Sequence, residues 1–218
     1  MRPIISIVGK SNSGKTTLLE GLIGELKRRG YRLAVIKHTN QEFELDKEGK
    51  DSWRFSQAGG SVVAVSSADK VAIFSSVASD LSPPELARFI ALDYDLILTE
   101  GFKKSNNPKI EVHRKEQGGG LLSSPKELLA VVTDEPLAVA VPQMAGDEIG
   151  KLADLIEEKL RVWRKEDSVE LSVNGAHIPL DPFVKGLITK TLLGMVSSLK
   201  GVKEIKSLRL YLRRRLDI

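Results

Sequence analysis

Residues 4–8 form a short apolar, β-branched run, and Leu18, Leu19, Leu22 and Ile23 follow at helical spacing, so the chain opens on a buried strand, a glycine-bearing loop and a helix. Gly30, after Arg28 and Arg29, stops that helix, and residues 32–37 read as a second strand. A strand, helix, strand order needs a crossover. The crossover makes the two strands parallel and sets the first loop at the carboxyl edge of the sheet, where open α/β folds bind ligands.

Residues 38–50 read as a polar, acidic-rich loop, followed by a short helix from an Asp51 N-cap to Ala58, with Gly59-Gly60 as its stop. Two β-branched runs, 61–67 and 71–76, predict a hairpin about Ala68-Asp69-Lys70. Ser82-Pro83-Pro84-Glu85 combines an N-cap, proline at the first helical position and the capping-box glutamate, opening a helix to about Leu92. Further strands are expected at 94–99, 109–113, 129–133 and 137–141. Asp147 is expected to cap an amphipathic helix that reaches about Arg164, and Gln117-Gly118-Gly119-Gly120 reads as a flexible loop.

Beyond Lys165 the pattern describes a smaller unit. Residues 169–173 and 176–180 flank Asn174-Gly175 as a hairpin, and Asp181-Pro182 caps a helix carrying Phe183, Val184, Leu187, Ile188, Leu192, Met195, Val196 and Leu199. Leu208, Leu210 and Leu212 alternate with Arg209, Tyr211 and Arg213 as a last strand. Such a ββαβ annex, residues 165–218, buries little by itself and is expected to pack on the main domain, residues 1–164, or on another subunit.

Composition narrows the class. With 218 residues, 41% of them hydrophobic, and no apolar run long enough to cross a bilayer, a soluble globular protein without a membrane partner or signal peptide is expected. The absence of cysteine excludes disulfides and thiolate metal sites and suits the cytoplasm, and three histidines leave little for a transition-metal centre. From Lys159 onward 13 Lys and Arg face 6 Asp and Glu, an excess of +7 against +4 for the whole chain, so the first 158 residues carry −3. A solvated basic face is the first reading of that tail. Nucleic-acid binding is the weaker one, because few aromatics accompany the charges.

Gly9-Lys10-Ser11-Asn12-Ser13-Gly14-Lys15-Thr16 fits G-x-x-x-x-G-K-[ST] in the strand, loop, helix context that a phosphate-binding loop requires. The glycines let backbone N–H groups face phosphates, Lys15 supplies charge to the β/γ oxygens, and the Thr16 hydroxyl can ligate Mg²⁺. The fold class is therefore a three-layer α/β P-loop NTPase with a mainly parallel sheet, plus the annex. Leu96-Ile97-Leu98-Thr99-Glu100 has the form of a Walker B strand and makes Glu100 the first candidate for the Mg²⁺ shell, ahead of Asp95 at the strand's other end. Asp46 is a second metal or switch candidate. Asp51 reads as an N-cap or as a group near the metal, His38 as a general base or a polar strand end, and Asp134 as an acceptor for guanine or a turn residue before Pro136. Lys10 is an ordinary loop lysine or, as in dimerising P-loop proteins with a deviant Walker A motif, a residue for the partner's phosphates.

Residues 9–17, Lys37-His38-Thr39, Phe43 with Asp46, Gly49-Lys50-Asp51-Ser52-Trp53-Arg54, Ala58-Gly59, Thr99-Glu100-Gly101-Phe102-Lys103 and Pro108-Lys109-Ile110-Glu111-Val112-His113-Arg114 together resemble the MobB family, GTP-binding proteins of molybdenum-cofactor maturation. The resemblance covers residues 2–159. It implies a homodimer that binds GTP with Mg²⁺, hydrolyses it slowly and assists the nucleotidyltransferase that joins GMP to molybdopterin, with molybdopterin as a further ligand and molybdoenzyme maturation proteins as further partners. Nucleotide contacts are then expected from Gly9, Lys10, Ser11, Asn12, Ser13, Gly14, Lys15, Thr16, Thr17 and Asp134, metal contacts from Thr16, Glu100 and Asp46, and catalytic roles from Asp46, Lys10 or His38. The chain departs from the pattern at Asn40-Gln41, where many members carry another histidine, and the basic tail belongs to only some members. A small-molecule kinase is the alternative enzyme class, with Arg54 and Arg114 as its candidate lid arginines. A metal-insertion GTPase is disfavoured by the missing cysteines and clustered histidines.

Overall fold

The computed structural model describes residues 3–39, 48–90, 94–163, 169, 171–174, 176–205, 208, 210 and 212. The chain divides into two compact units, Arg2–Leu160 and Arg161–Ile218, the boundary falling within the last turn of the helix that closes the first. In the first, β1 (Ile4–Gly9), α1 (Lys15–Arg28), β2 (Leu33–Lys37), α2 (Asp51–Gln57), β3 (Val62–Ser66), β4 (Val71–Ser75), α3 (Pro83–Phe89), β5 (Leu96–Glu100), β6 (Lys109–Val112), a 3₁₀ turn (Lys115–Gln117), β7 (Leu128–Val132), β8 (Gln143–Met144) and α4 (Ile149–Trp163) follow in order. Six strands form one sheet in the order β2-β5-β1-β6-β7-β8, and every pairing is parallel. Strands covered on both faces read as continuous apolar runs, which is why β1, β5 and β7 are so apolar.

The two faces of the sheet differ. Ile4 and Ile97 pack with Tyr94, Ala34, Ile36, Ala87 and Ile90 on one face, where α3 lies. The same alternation carries Ser6, Thr99, Lys109 and Glu111 to that face. These buried polar groups are all partnered, as burial requires: Thr99 Oγ1 donates to Ser6 Oγ at 2.9 Å, Glu111 accepts from Leu122 N at 2.6 Å and Ser123 N at 2.9 Å, and Lys109 Nζ donates to Ser105 O at 2.5 Å and lies 3.1 Å from Glu127. Loop residues supply these partners: the amides of Leu122 and Ser123 for the Glu111 carboxylate and the Ser105 carbonyl for Lys109. Ile5, Ile7, Leu98 and Ile110, all fully buried, alternate to the opposite face and leave it for the leucines of α1.

Helix ends follow the sequence signals. Gly30, at φ 88°, closes α1 with Gly30 N donating to Lys27 O and Tyr31 N to Leu26 O, a Schellman ending. Just before it, Arg29 joins α1 to α4: its guanidinium meets Glu25 and Glu157 at 2.7 Å and Asp154 at 2.6 Å. Hydrogen bonds from Arg28 and Arg29 hold the Glu25 carboxyl down to about 2. At α3, Glu85 accepts from both Ser82 N and Ser82 Oγ.

In this first unit four expectations are corrected. Residues 137–141 form no strand, because Pro136 and Pro142 bracket them and the Gln143 side chain takes both backbone groups of Leu137, at 2.8 and 2.7 Å. The strand at this edge is instead Gln143–Met144, with Thr133 N donating to Met144 O. Asp51 is the first helical residue of α2 and Lys50 its N-cap, so Asp51 caps nothing; its exposed carboxylate lies 3.7 Å from Arg54. α4 starts at Ile149, where Leu152 N donates to Glu148 O, one residue later than a cap at Asp147 would place it. Gln117 belongs to an ordered 3₁₀ turn rather than to a flexible loop, and its contacts are described below.

In the second unit, β9 (Leu171–Val173) and β10 (Ala176–Ile178) form an antiparallel hairpin, and α5 (Pro182–Ser197) follows with Asp181 accepting from Val184 N at 3.0 Å. Leu208, Leu210 and Leu212, the described residues of the expected last strand, lie in no strand: among the described residues this hairpin pairs only with itself. Among the described residues no helix is long and apolar enough to cross a membrane.

Candidate functional site

Residues 10–14 connect the end of β1 to the start of α1 at the carboxyl edge of the sheet. Gly9 has φ 150°, and a Cβ there would stand 2.5 Å from Val112 O and 2.8 Å from Ser13 Oγ, so only glycine fits between β1 and β6. Asn12 at φ 60° and Gly14 at φ 91° turn the loop so that Gly14 leads into α1 from the left-handed region.

The first turn of α1 brings the charged groups together. Lys15 Nζ donates to Lys10 O at 2.6 Å, back across the loop. Thr16 Oγ1 donates to Glu100 Oε2 at 3.1 Å, and Lys37 Nζ lies 3.8 Å from Glu100 Oε1 because Lys37 and Glu100 are register partners at the ends of β2 and β5. Burial pushes the Lys15 ammonium below its ordinary value; Glu100 opposes this, while Lys103 and Lys37 add to it. A partly desolvated ammonium among like charges favours an anion. The adjacent hydroxyl and carboxylate are the hard oxygen donors that Mg²⁺ takes, and among the described residues no three His, Asp or Glu side chains gather into a cage that would hold an ion without phosphate oxygens.

Gly101 and Phe102 follow Glu100 at φ 100° and 56°. A Cβ on Gly101 would meet His38 Cβ at 3.2 Å and His38 O at 3.3 Å, so the glycine lets the chain turn away directly above β2. His38 lies with its ring centroid 4.6 Å from that of Phe102, and its Nε2 is 3.0 Å from Asp80 Oδ2, to which it must donate because a carboxylate only accepts. His38 thus stands just after β2, packed on Phe102 and hydrogen-bonded to Asp80.

Lys10 is not a free loop lysine. Its Nζ donates to Gln117 O at 3.1 Å and also to Gly118 O. Asp134 Oδ1 accepts from Lys115 N at 2.8 Å, and this hydrogen bond, with Arg114 nearby, holds its carboxyl below the usual range. The structure therefore commits one Asp134 oxygen to the 3₁₀ turn, as a turn residue would be. Ser11, Asn12, Thr16 and Thr17 are exposed, whereas Ser13 is buried with its Oγ unpartnered. Asp46 lies outside the described residues.

Two residues beside the loop were not singled out for it by spacing. Arg114 Nε donates to Ser13 O at 3.1 Å, and Gln117 Nε2 donates to Ser11 O at 2.8 Å. The signal for Arg114 lies in the strand register: Gly9 pairs with Val112, so the side chain two residues further on shares its face and stands over the loop. Nothing in the sequence marks Gln117.

Comparison with known proteins gives a consistent set of likenesses. Residues 4–134 match the family of MobB, molybdopterin guanine dinucleotide synthesis protein B. The molybdopterin-guanine dinucleotide biosynthesis adapter protein of Haemophilus influenzae is 42% identical over 159 residues, covering 72% of this chain and 89% of that protein. A curated relative from Methanocaldococcus jannaschii is 26% identical over 230 residues, with 94% of this chain and 95% of its own length aligned, so its similarity extends into the second unit. The crystal structure of Bacillus subtilis MobB superposes with a TM-score of 0.58 at 30% identity, covering 72% of this chain and 97% of that one.

Proposed function

Since the chain belongs to the MobB family, we propose that it is an adapter of molybdopterin guanine dinucleotide biosynthesis that binds GTP with Mg²⁺ at the loop of residues 9–17. The observation that carries this reading is the convergence of Lys15, Thr16 and Glu100 where β1 and β5 end. Lys15 exchanges the Lys10 carbonyl for β/γ-phosphate oxygens, and the amides of residues 11–16 complete the cradle. Thr16 and Glu100 are the groups that would hold Mg²⁺, with Asp46 as a further candidate; bound there, the ion would neutralise phosphate charge. Lys37 and Lys103 extend the positive field around Lys15 beyond the loop, a charge that suits a further anionic ligand such as molybdopterin.

Turnover is expected to be slow. Gln117 and Arg114, the glutamine and arginine beside the loop, are committed to its carbonyls rather than to an attacking water or a γ-phosphate. In this reading the chain supplies GTP in a held geometry to a nucleotidyltransferase partner, and GMP transfer happens there. A second copy of the chain is the other partner, a reading supported by Val62, Val71 and Ile73, which expose apolar surface on the β3–β4 hairpin.

Replacing Glu100 by Gln tests the metal assignment. The amide keeps the shape but loses the anionic oxygen, so GTP affinity measured calorimetrically should fall about tenfold with Mg²⁺ and little in EDTA. An equal change in both buffers would assign the metal to another group.

A further inference from the structure

Two of the loop's peptide carbonyls are drawn outward by side chains that come from the same short segment after β6. Gln117 Nε2 holds Ser11 O at 2.8 Å, and Arg114 Nε holds Ser13 O at 3.1 Å. Every described peptide is trans, and in a trans peptide the C=O and N–H point in opposite directions. Fixing Ser11 O therefore aims the N–H of Asn12 to the other side of the loop, and fixing Ser13 O does the same for Gly14. Asn12 and Gly14 are the two residues of this loop with left-handed φ, 60° and 91°, so no regular ladder sets their orientation.

The segment that does the holding is itself anchored. His113 N donates to Val132 O, continuing the β6–β7 pairing, and Asp134 Oδ1 accepts from Lys115 N at 2.8 Å. Lys10 Nζ returns the contact by donating to Gln117 O at 3.1 Å. We propose that Arg114 and Gln117 are positioning residues of the nucleotide site, which preset the Asn12 and Gly14 amides toward the phosphates without touching the nucleotide. The proposal rests on the phosphate-loop reading above. Preorganised amides strengthen binding because no peptide has to be reoriented when the anion arrives.

The test uses the full chain and the variants Gln117→Met, Arg114→Met and Arg114→Lys, with GTP and inorganic tripolyphosphate as ligands. Each Met variant should bind both ligands about tenfold more weakly, the cost of one lost hydrogen bond, with part of the loss restored in Arg114→Lys, whose ammonium can still reach one carbonyl. The ligand-free NMR spectrum should move the Asn12 amide in Gln117→Met and the Gly14 amide in Arg114→Met, a pairing that a general loss of packing would not produce. If both Met variants bind like the parent while Lys15→Ala does not bind, the proposal falls and the phosphate-loop reading stands. If Lys15→Ala also binds like the parent, that reading falls and takes the proposal with it. Weaker binding of GTP alone, with tripolyphosphate unaffected, would mean that the residues recognise base or ribose, and would overturn the positioning role.

Discussion

Lys15→Ala should bring GTP binding below detection in a calorimetric titration while the melting temperature of the ligand-free protein stays within a few degrees of the parent. The ammonium donates to Lys10 O at 2.6 Å, a half-buried loop carbonyl rather than a member of the apolar core, so its loss leaves the packing of β1 and α1 in place. Its interaction with a triphosphate is of another size, because a charge-assisted bond to phosphate forms at a group that burial has already partly stripped of water. Parent-like GTP affinity in this variant would remove the basis for placing phosphates at residues 9–17.

Gly9→Ala should be the most destabilising single methyl in the site. The new Cβ would stand 2.5 Å from Val112 O, a backbone atom of the neighbouring strand, and 2.8 Å from Ser13 Oγ, on a residue whose φ of 150° already suits glycine. Neither strand can withdraw without breaking the parallel pairing that aligns Gly9 with Val112. Overpacking and backbone strain together cost on the order of 3 kcal/mol, which for a chain of this size lowers the melting temperature by about 6–12 °C. GTP binding should weaken as well, because the same clash displaces the start of the loop. An unchanged melting temperature would show that β1 and β6 separate more freely than their register implies.

Local and periodic features of the chain were legible before the structure. The first strand, loop and helix, the Ser82-Pro83-Pro84-Glu85 start, the Gly30 stop and the two hairpins all depend on neighbours within a few residues, and each stands where its signal put it. The misread elements depend on long-range partners. Residues 137–141 look like a strand by composition, yet whether an apolar stretch joins a sheet is decided by what else can satisfy its backbone, and the Gln143 side chain does so at Leu137. The Leu208, Leu210, Leu212 alternation likewise promised a strand for which the hairpin offers no ladder among the described residues.

The site shows the same division. Thr16 and Glu100 are 84 residues apart in the chain, and Walker B patterning on a parallel strand was enough to bring them within 3.1 Å. Lys10, His38 and Asp134 could not be assigned from sequence because each has a partner fixed by the tertiary fold: the Gln117 and Gly118 carbonyls, the Asp80 carboxylate and the Lys115 amide. The loop contacts of Gln117, and of Arg114, which the sequence offered only as a candidate lid arginine, were not legible for a related reason. Both side chains act on backbone carbonyls, which every residue has, so no motif can encode the contact.

The most direct measurement is a calorimetric titration of the full chain with GTP and, in parallel, with ATP, each with Mg²⁺ and with EDTA. The account predicts saturable binding of GTP at about one nucleotide per chain, tighter with Mg²⁺ than in EDTA, as expected when the ion is shared between protein oxygens and phosphates, and weaker binding of ATP. No detectable binding of either nucleotide in the presence of Mg²⁺ would contradict it.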